Sequence, residues 1–396
     1  MQPGFFKERL EMFTKERTNI CKGAAILMLL FHHLFSDGNI DDYGIRFLMP
    51  DDIGAAVAEA MRVCVRLFIF LSAYGLTYKY MRRPGTQTGA AFAGRQWFSL
   101  MKLWLPIYLL ILAVYAATGH SIMGKYLGSR RYLLLDALAL SDFFDTPRLL
   151  GVFWYMCFAQ VLILAIPLLS EICKKLGYLA IPLTFLLHAF ISGGIKSDFG
   201  GTYHNYLLAV VCGCVFAQKD TLNILFAKKR RALTAVLAGL FCGAAACACL
   251  YLKAGMNNDN DLRDLRFVLD TAAAVLICLF FGVYLRVPVL TRVLELLGRY
   301  SGSMFLLHVM FYGLLDRFVW VSRHAAVVWL VLVAESLAAA WLLETCKKYS
   351  GYNRGMSALY AKAEGAAIAY LSPAPEAADA ENSLSKSKRK NSISSE

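Results

Sequence analysis

Charge is scarce in this sequence. Of 396 residues only 17% are Asp, Glu, Lys or Arg, whereas 58% are hydrophobic. A soluble domain carries about a quarter charged residues, so an ordinary water-soluble fold is excluded. The formal net charge is +13, yet no zinc-finger or aromatic RNA-binding motif accompanies it, which argues against a nucleic-acid partner. Basic residues that flank apolar runs set membrane topology instead. Eleven cysteines are present, but no disulfide framework: they sit inside apolar runs or at their expected cytoplasmic ends. The close pairs Cys212 with Cys214 and Cys247 with Cys249 lack the spacing and nearby histidines of a zinc site, so no metal is expected. The first 19 residues lack a signal-peptide cleavage pattern, and the apolar helix that follows is expected to stay as a true span. No internal repeat stands out, and no Gly/Pro-broken helices occur in corresponding halves, as they do in many transporters.

What the chain does contain is a set of apolar runs of bilayer length, and the first is the most informative. Residues 20–35, ICKGAAILMLLFHHLF, begin beside a lysine and hold two histidines deep inside. An imidazole at membrane depth is costly unless it faces a polar interior or a water-filled cavity. Lys22 and His33 are 11 residues apart, about three turns and roughly 16 Å, so they share one helical face. His32 points about 100° away.

Along the chain, ten spans are expected: residues 20–35, 60–80, 97–118, 152–170, 178–192, 203–217, 232–252, 267–286, 301–315 and 325–346. Arg82–Arg83 and the basic cluster at 228–231 mark cytoplasmic loops, while the acidic stretches 36–52 and 257–264 mark outer ones. Both termini are then cytoplasmic. Residues 120–150 form the longest connection, amphipathic rather than apolar, able to lie on the membrane or re-enter toward a cavity. Residues 287–300, which contain VLTRVLELLGRY, are expected to be a short cytoplasmic link. The chain is thus an all-α polytopic helical bundle: an N-terminal segment (1–19), one membrane domain (20–346) and a cytoplasmic tail (347–396), disordered from about residue 372.

Several titratable groups lie within these spans. Arg62 and Arg66, four residues apart on one face of span 2, can bind a substrate or form a structural ion pair. Ser301 and His308, seven apart, share a face of span 9. His308 can orient a catalytic group or cap a polar network. Tyr74 and Trp154 suit cavity walls, packing or interface anchoring.

Four elements together resemble the acyltransferase 3 family of integral-membrane O-acyltransferases. KGAAILMLLFHH is similar to the family's basic residue, ten intervening residues and histidine, aligning Lys22 and His33. Arg66 followed by LFIFLSAY is similar to an arginine before an FLSGY element, with Ala73 in place of the usual glycine. Gly151 to Met156, containing Trp154–Tyr155, and the stretch from Tyr300 and Ser301 to His308 are the third and fourth.

The resemblance implies transfer of an acyl group, most often acetyl, from cytoplasmic acyl-CoA to a hydroxyl of a cell-surface or lipid-linked glycan. Acyl-CoA is then a co-substrate, with no bound cofactor, and the protein resides in the cytoplasmic membrane among its lipids. His33 suits a general base or acyl carrier, since imidazole titrates near neutrality. Lys22 suits the CoA phosphates and also topology anchoring. Arg66 and Arg62 suit the oxyanion or acceptor, with His308 orienting substrate or the catalytic group from a facing helix, and Tyr74, Trp154 and Ser301 around the substrates. The competing class is a transporter or flippase for an anionic lipid or solute, because intramembrane arginine and histidine also mark permeation routes.

Overall fold

The computed structural model describes residues 15–36, 39–194, 203–227, 232–256 and 263–371, and among these it contains helices and no strand. The principal helices are α1 (Lys15–Phe35), α2 (Asp51–Ala60), α3 (Cys64–Met81), α4 (Gly89–Ala117), α5 (Arg130–Ala137), α6 (Trp154–Leu176) and α7 (Ala180–Gly194). They continue with α8 (Leu207–Gln218), α9 (Ala232–Gly255), α10 (Arg263–Leu279), α11 (Pro288–Val309), α12 (Ala325–Tyr349) and α13 (Tyr352–Leu371). Local chemistry sets several of the boundaries. The Thr88 hydroxyl accepts from Ala91 N at 3.2 Å at the start of α4, and α6 stops at Gly177, whose φ of 57° suits glycine.

Each expected span overlaps helical structure, and among the described residues six helical segments are long and apolar enough to cross a bilayer. Rows of large apolar side chains stay exposed on α7 (Leu183, Leu186, Phe190) and α9 (Leu233, Leu237, Phe241). A bilayer is the solvent that such faces fit, and the chain is a multi-pass membrane protein. It divides into two compact units, residues 1–343 and 344–396. The expected basic cluster at 228–231, the acidic loop centred on 257–262 and the tail beyond 371 lie outside the described residues.

At the centre of the first unit is α1. Ile20, Ala25, Ile26, Leu29, Leu30 and Leu34 have no solvent exposure, as expected for a helix apolar on all sides. It packs on α3 and α11; from α12, Trp329 Nε1 donates to Leu27 O at 3.1 Å, and from α10, Cys278 Sγ lies 3.8 Å from Cys21 Sγ. One expectation is corrected here: residues 288–300 are not a separate link but the first half of α11. Pro288 starts that helix without needing an N–H partner, and no breaker follows.

The long connection 118–150 forms a packed cap on α4 and α6. Its pivot is Asp136, fully buried. Tyr126 Oη donates to it at 2.6 Å, Ser141 Oγ at 2.7 Å and Leu149 N at 2.8 Å. Trp104 Nε1 of α4 donates to Ala137 O, and Gln160 Nε2 of α6 donates to Leu138 O and Ala139 O, each at 2.8 Å. Burial pushes the Asp136 carboxyl above its ordinary value, while the three donors act against the shift.

Asp136→Ala leaves three buried donors without an acceptor. At roughly 1–3 kcal/mol each, it should destabilise the protein by about 3 kcal/mol or more. Since the folded carboxyl keeps its proton to higher pH than the unfolded one, its contribution declines as pH rises from the ordinary carboxyl value through the raised one. Melting temperature in detergent against pH checks both points, with Asp136→Asn expected to flatten that dependence.

Candidate functional site

The site begins with two glycines. A Cβ on Gly23 would lie 1.9 Å from Leu294 O, and one on Gly298 would lie 1.8 Å from Asn19 O, so α1 and α11 touch backbone to backbone. Only glycine permits so close an approach. The helices run in parallel, and Gly23 and Gly298 are separated in sequence by the same interval as His33 and His308. The register that the glycines set therefore brings the two histidines level, with ring centroids 5.0 Å apart.

His308 is fully buried. Its Nδ1 lies 2.7 Å from Phe305 O; a carbonyl only accepts, so Nδ1 carries the proton and Nε2 of the neutral ring is the acceptor. Among the described residues Nε2 has no hydrogen-bond partner. It is available to accept from His33 or from a substrate hydroxyl. His33 is half-buried, and Tyr312 flanks the pair, its ring 6.3 Å from His33 and 5.8 Å from His308. Tyr312 lies in a π-turn, in which Leu315 N bonds to Met310 O at 3.0 Å; such turns interrupt α-helices often at functional positions. His32 serves elsewhere, with Nδ1 2.9 Å from Ala58 O, where it ties α1 to α2.

Lys22 lines a cavity of about 770 Å³ where α1 begins and α3 ends, shared with Lys15, Lys79, Ser72, Tyr74 and Tyr155. Three ammonium groups around one space make it suited to a polyanion. From its wall, Tyr155 packs on Phe305 at 4.8 Å, and Phe305 lies 6.2 Å from His308. The cavity and the histidine pair thus share one aromatic boundary.

Arg66 lies apart from Lys22. Its Nη1 is 2.7 Å from Asp270 Oδ2 of α10, and Lys253 Nζ of α9 is 3.0 Å from Asp270 Oδ1. Arg62 is exposed and pairs at 3.5 Å with Glu59. Both arginines line a second cleft, of about 260 Å³. Trp154 stacks on Tyr206 at 5.5 Å, and Arg66 lies 5.4 Å above the Tyr206 ring. Ser301 Oγ donates to Gly298 O at 2.9 Å within α11, two turns from His308.

The structure thus brings together His33 with His308, Lys22 with Tyr74, and Arg62 with Arg66, with Trp154 next to the last pair through Tyr206. Sequence reasoning missed Lys15, Lys79, Tyr312, Lys253 and Asp270. Two of these carried a signal. Lys15 precedes Lys22 by seven residues and so shares its face, and an aspartate inside the apolar run FVLDTAAAVL calls for a cation on a neighbouring helix.

Among the described residues no group of three or more His, Cys, Asp or Glu could hold a metal ion. A family model described as an acyltransferase domain matches residues 17–345. No curated protein and no solved structure matches the chain.

Proposed function

Because the chain belongs to the acyltransferase family whose model spans residues 17–345, and so is a membrane acyltransferase, we propose that it moves an acyl group, acetyl in the first instance, from cytoplasmic acyl-CoA to a hydroxyl of a cell-surface or lipid-linked glycan. One observation carries this reading. The single helix α1 presents Lys22 to a lysine-lined cavity and, on the same face about 16 Å further along, His33 to His308.

The donor enters the cavity of about 770 Å³, a volume typical of small-molecule sites. Its phosphates meet Lys15, Lys22 and Lys79, and its flexible arm carries the thioester toward the histidines. His33 takes the proton of the acceptor hydroxyl as the oxygen attacks the thioester carbonyl, and CoA leaves as the thiolate. His308, its ring centroid 5.0 Å from that of His33, positions the reacting hydroxyl by offering it the lone pair on Nε2. The negative charge that develops on the carbonyl oxygen needs a donor or cation close by. Arg66, beyond the ion pair with Asp270, is the group we assign to the acceptor side of the reaction. Ten spans, both termini inside and residence in the cytoplasmic membrane complete the proposal, with the lysine-lined cavity opening on the cytoplasm.

Lys22→Ala should weaken acyl-CoA binding about ten-fold, and more at low salt than at high, since one charge-assisted phosphate contact is lost. Lys22→Arg should restore most of the affinity. Titration calorimetry with acyl-CoA and purified protein reads both. If the folded, unaltered protein binds no acyl-CoA, the acyltransferase reading falls and transport of an anionic lipid or solute takes its place.

A further inference from the structure

From the second cleft we infer that the acceptor is an acidic saccharide, held through a carboxylate or phosphate by Arg66, Lys253 and Arg266 around Asp270. This rests on the acyltransferase reading, because it names the class of molecule that receives the acyl group.

The cleft of about 260 Å³ is built where α3, α9 and α10 meet beside Tyr206. Among the described residues that line it are four cations, Arg62, Arg66, Lys253 and Arg266, and two acids, Glu59 and Asp270. Asp270 is shared between Arg66 and Lys253, so one carboxylate answers two partly buried cations. Side-chain exposure is 13% for Arg66, 12% for Lys253 and 4% for Asp270. Cations so shielded from water interact strongly with an anion that reaches them.

The guanidinium geometry specifies the ligand further. Arg66 spends Nη1 on Asp270, while its Nε–H is buried and has no acceptor among the described residues. A planar donor edge of this kind fits the oxygens of a carboxylate or phosphate. Beneath it Tyr206 lies under the guanidinium, with Trp154 stacked behind. Aromatic rings beside a cationic donor suit a sugar ring that carries an acidic group better than they suit a bare inorganic anion. The positive surplus would also raise the local concentration of acidic glycan over neutral glycan.

The test compares two oligosaccharide acceptors identical but for a terminal glucuronate in place of glucose, with the full-length protein in phosphatidylcholine nanodiscs. The glucuronate acceptor should be favoured at least ten-fold in kcat/KM, and the preference should shrink with added salt. Lys253→Gln and Arg266→Gln should each lower that preference several-fold, by cutting kcat/KM for the glucuronate acceptor more than for the neutral one, while acyl-CoA binding at the separate lysine-lined cavity persists. Thermal melts show whether each variant is folded, and the two substitutions stand on different helices, so one can report if the other misfolds.

Two further arms separate the sources of the anion. Inorganic phosphate should compete only weakly, and nanodiscs containing phosphatidylglycerol should leave the preference intact. If phosphatidylglycerol abolishes the preference, the cleft belongs to a lipid headgroup and the acceptor assignment is overturned. Equal rates with acidic and neutral acceptors, in protein that still binds acyl-CoA, would overturn it too while leaving the acyltransferase reading standing. Failure of the unaltered protein to bind acyl-CoA would instead remove that reading, and the acceptor role with it.

Discussion

His33→Ala should lower acyl transfer at least 10²-fold, the usual cost of deleting a general base, while His32→Ala leaves most of the activity. The two residues are neighbours in sequence and differ only in what they face. His33 lies beside His308, the rings tilted by 48° with centroids 5.0 Å apart. His32 bonds Ala58 O at 2.9 Å and joins α1 to α2, so its loss should cost about 1 kcal/mol of stability rather than the reaction itself. Transfer rates at saturating donor and acceptor, with melting temperature measured alongside, separate the two effects. A matched loss of rate in both variants, at equal folding, would remove the distinction. His308→Gln is the companion variant: it keeps a hydrogen-bonding side chain but no imidazole, and it should also depress the rate, more in kcat than in KM.

The second large effect is expected far from any reacting atom. Gly298→Ala places a Cβ 1.8 Å from Asn19 O, and the other atoms in its way, Asn19 C and Asn19 Cα, are also backbone and cannot rotate aside. The helices must separate or slide by more than an ångström. A displacement of about 1 Å in a catalytic arrangement can cost 10²-fold, so transfer should fall by about that factor and the protein should melt several degrees earlier. Gly302→Ala, one turn along α11, is the control. Its Cβ would meet only Leu103 Cδ2 at 3.3 Å, the end of a flexible side chain, and alanine favours the helix; activity should stay within a few-fold. If Gly298→Ala retains comparable activity, the backbone contact does not set the register of the histidines.

Much of this protein was legible before any coordinates. The apolar runs identified an all-α membrane protein because a bilayer forces every backbone N–H and C=O to be satisfied inside the segment, and the helix is the element that does so locally. Helical periodicity alone placed Lys22 and His33 on one face, since that relation depends only on residues within three turns. The motif of basic residue and histidine, with the arginine, Trp-Tyr and late histidine elements, pointed to the acyltransferase family that the match over residues 17–345 shows.

The tertiary structure decided what no local period can encode. His33 meets His308 because two glycines on separate helices let their backbones touch. The stretch at 288–300, amphipathic enough to pass for a surface link, became half of α11 because its apolar side lies against α1. The same holds for the polar groups. Asp136, in an unremarkable YLLLDALAL, proved to be the buried pivot of a cap, and Arg66 proved to share Asp270 with Lys253. A charge or imidazole inside a membrane needs a partner, and the sequence announces that need. Which partner answers it is set by how the elements pack, as for His33 with His308 and Arg66 with Asp270, pairs more than two hundred positions apart, where composition and periodicity carry no information.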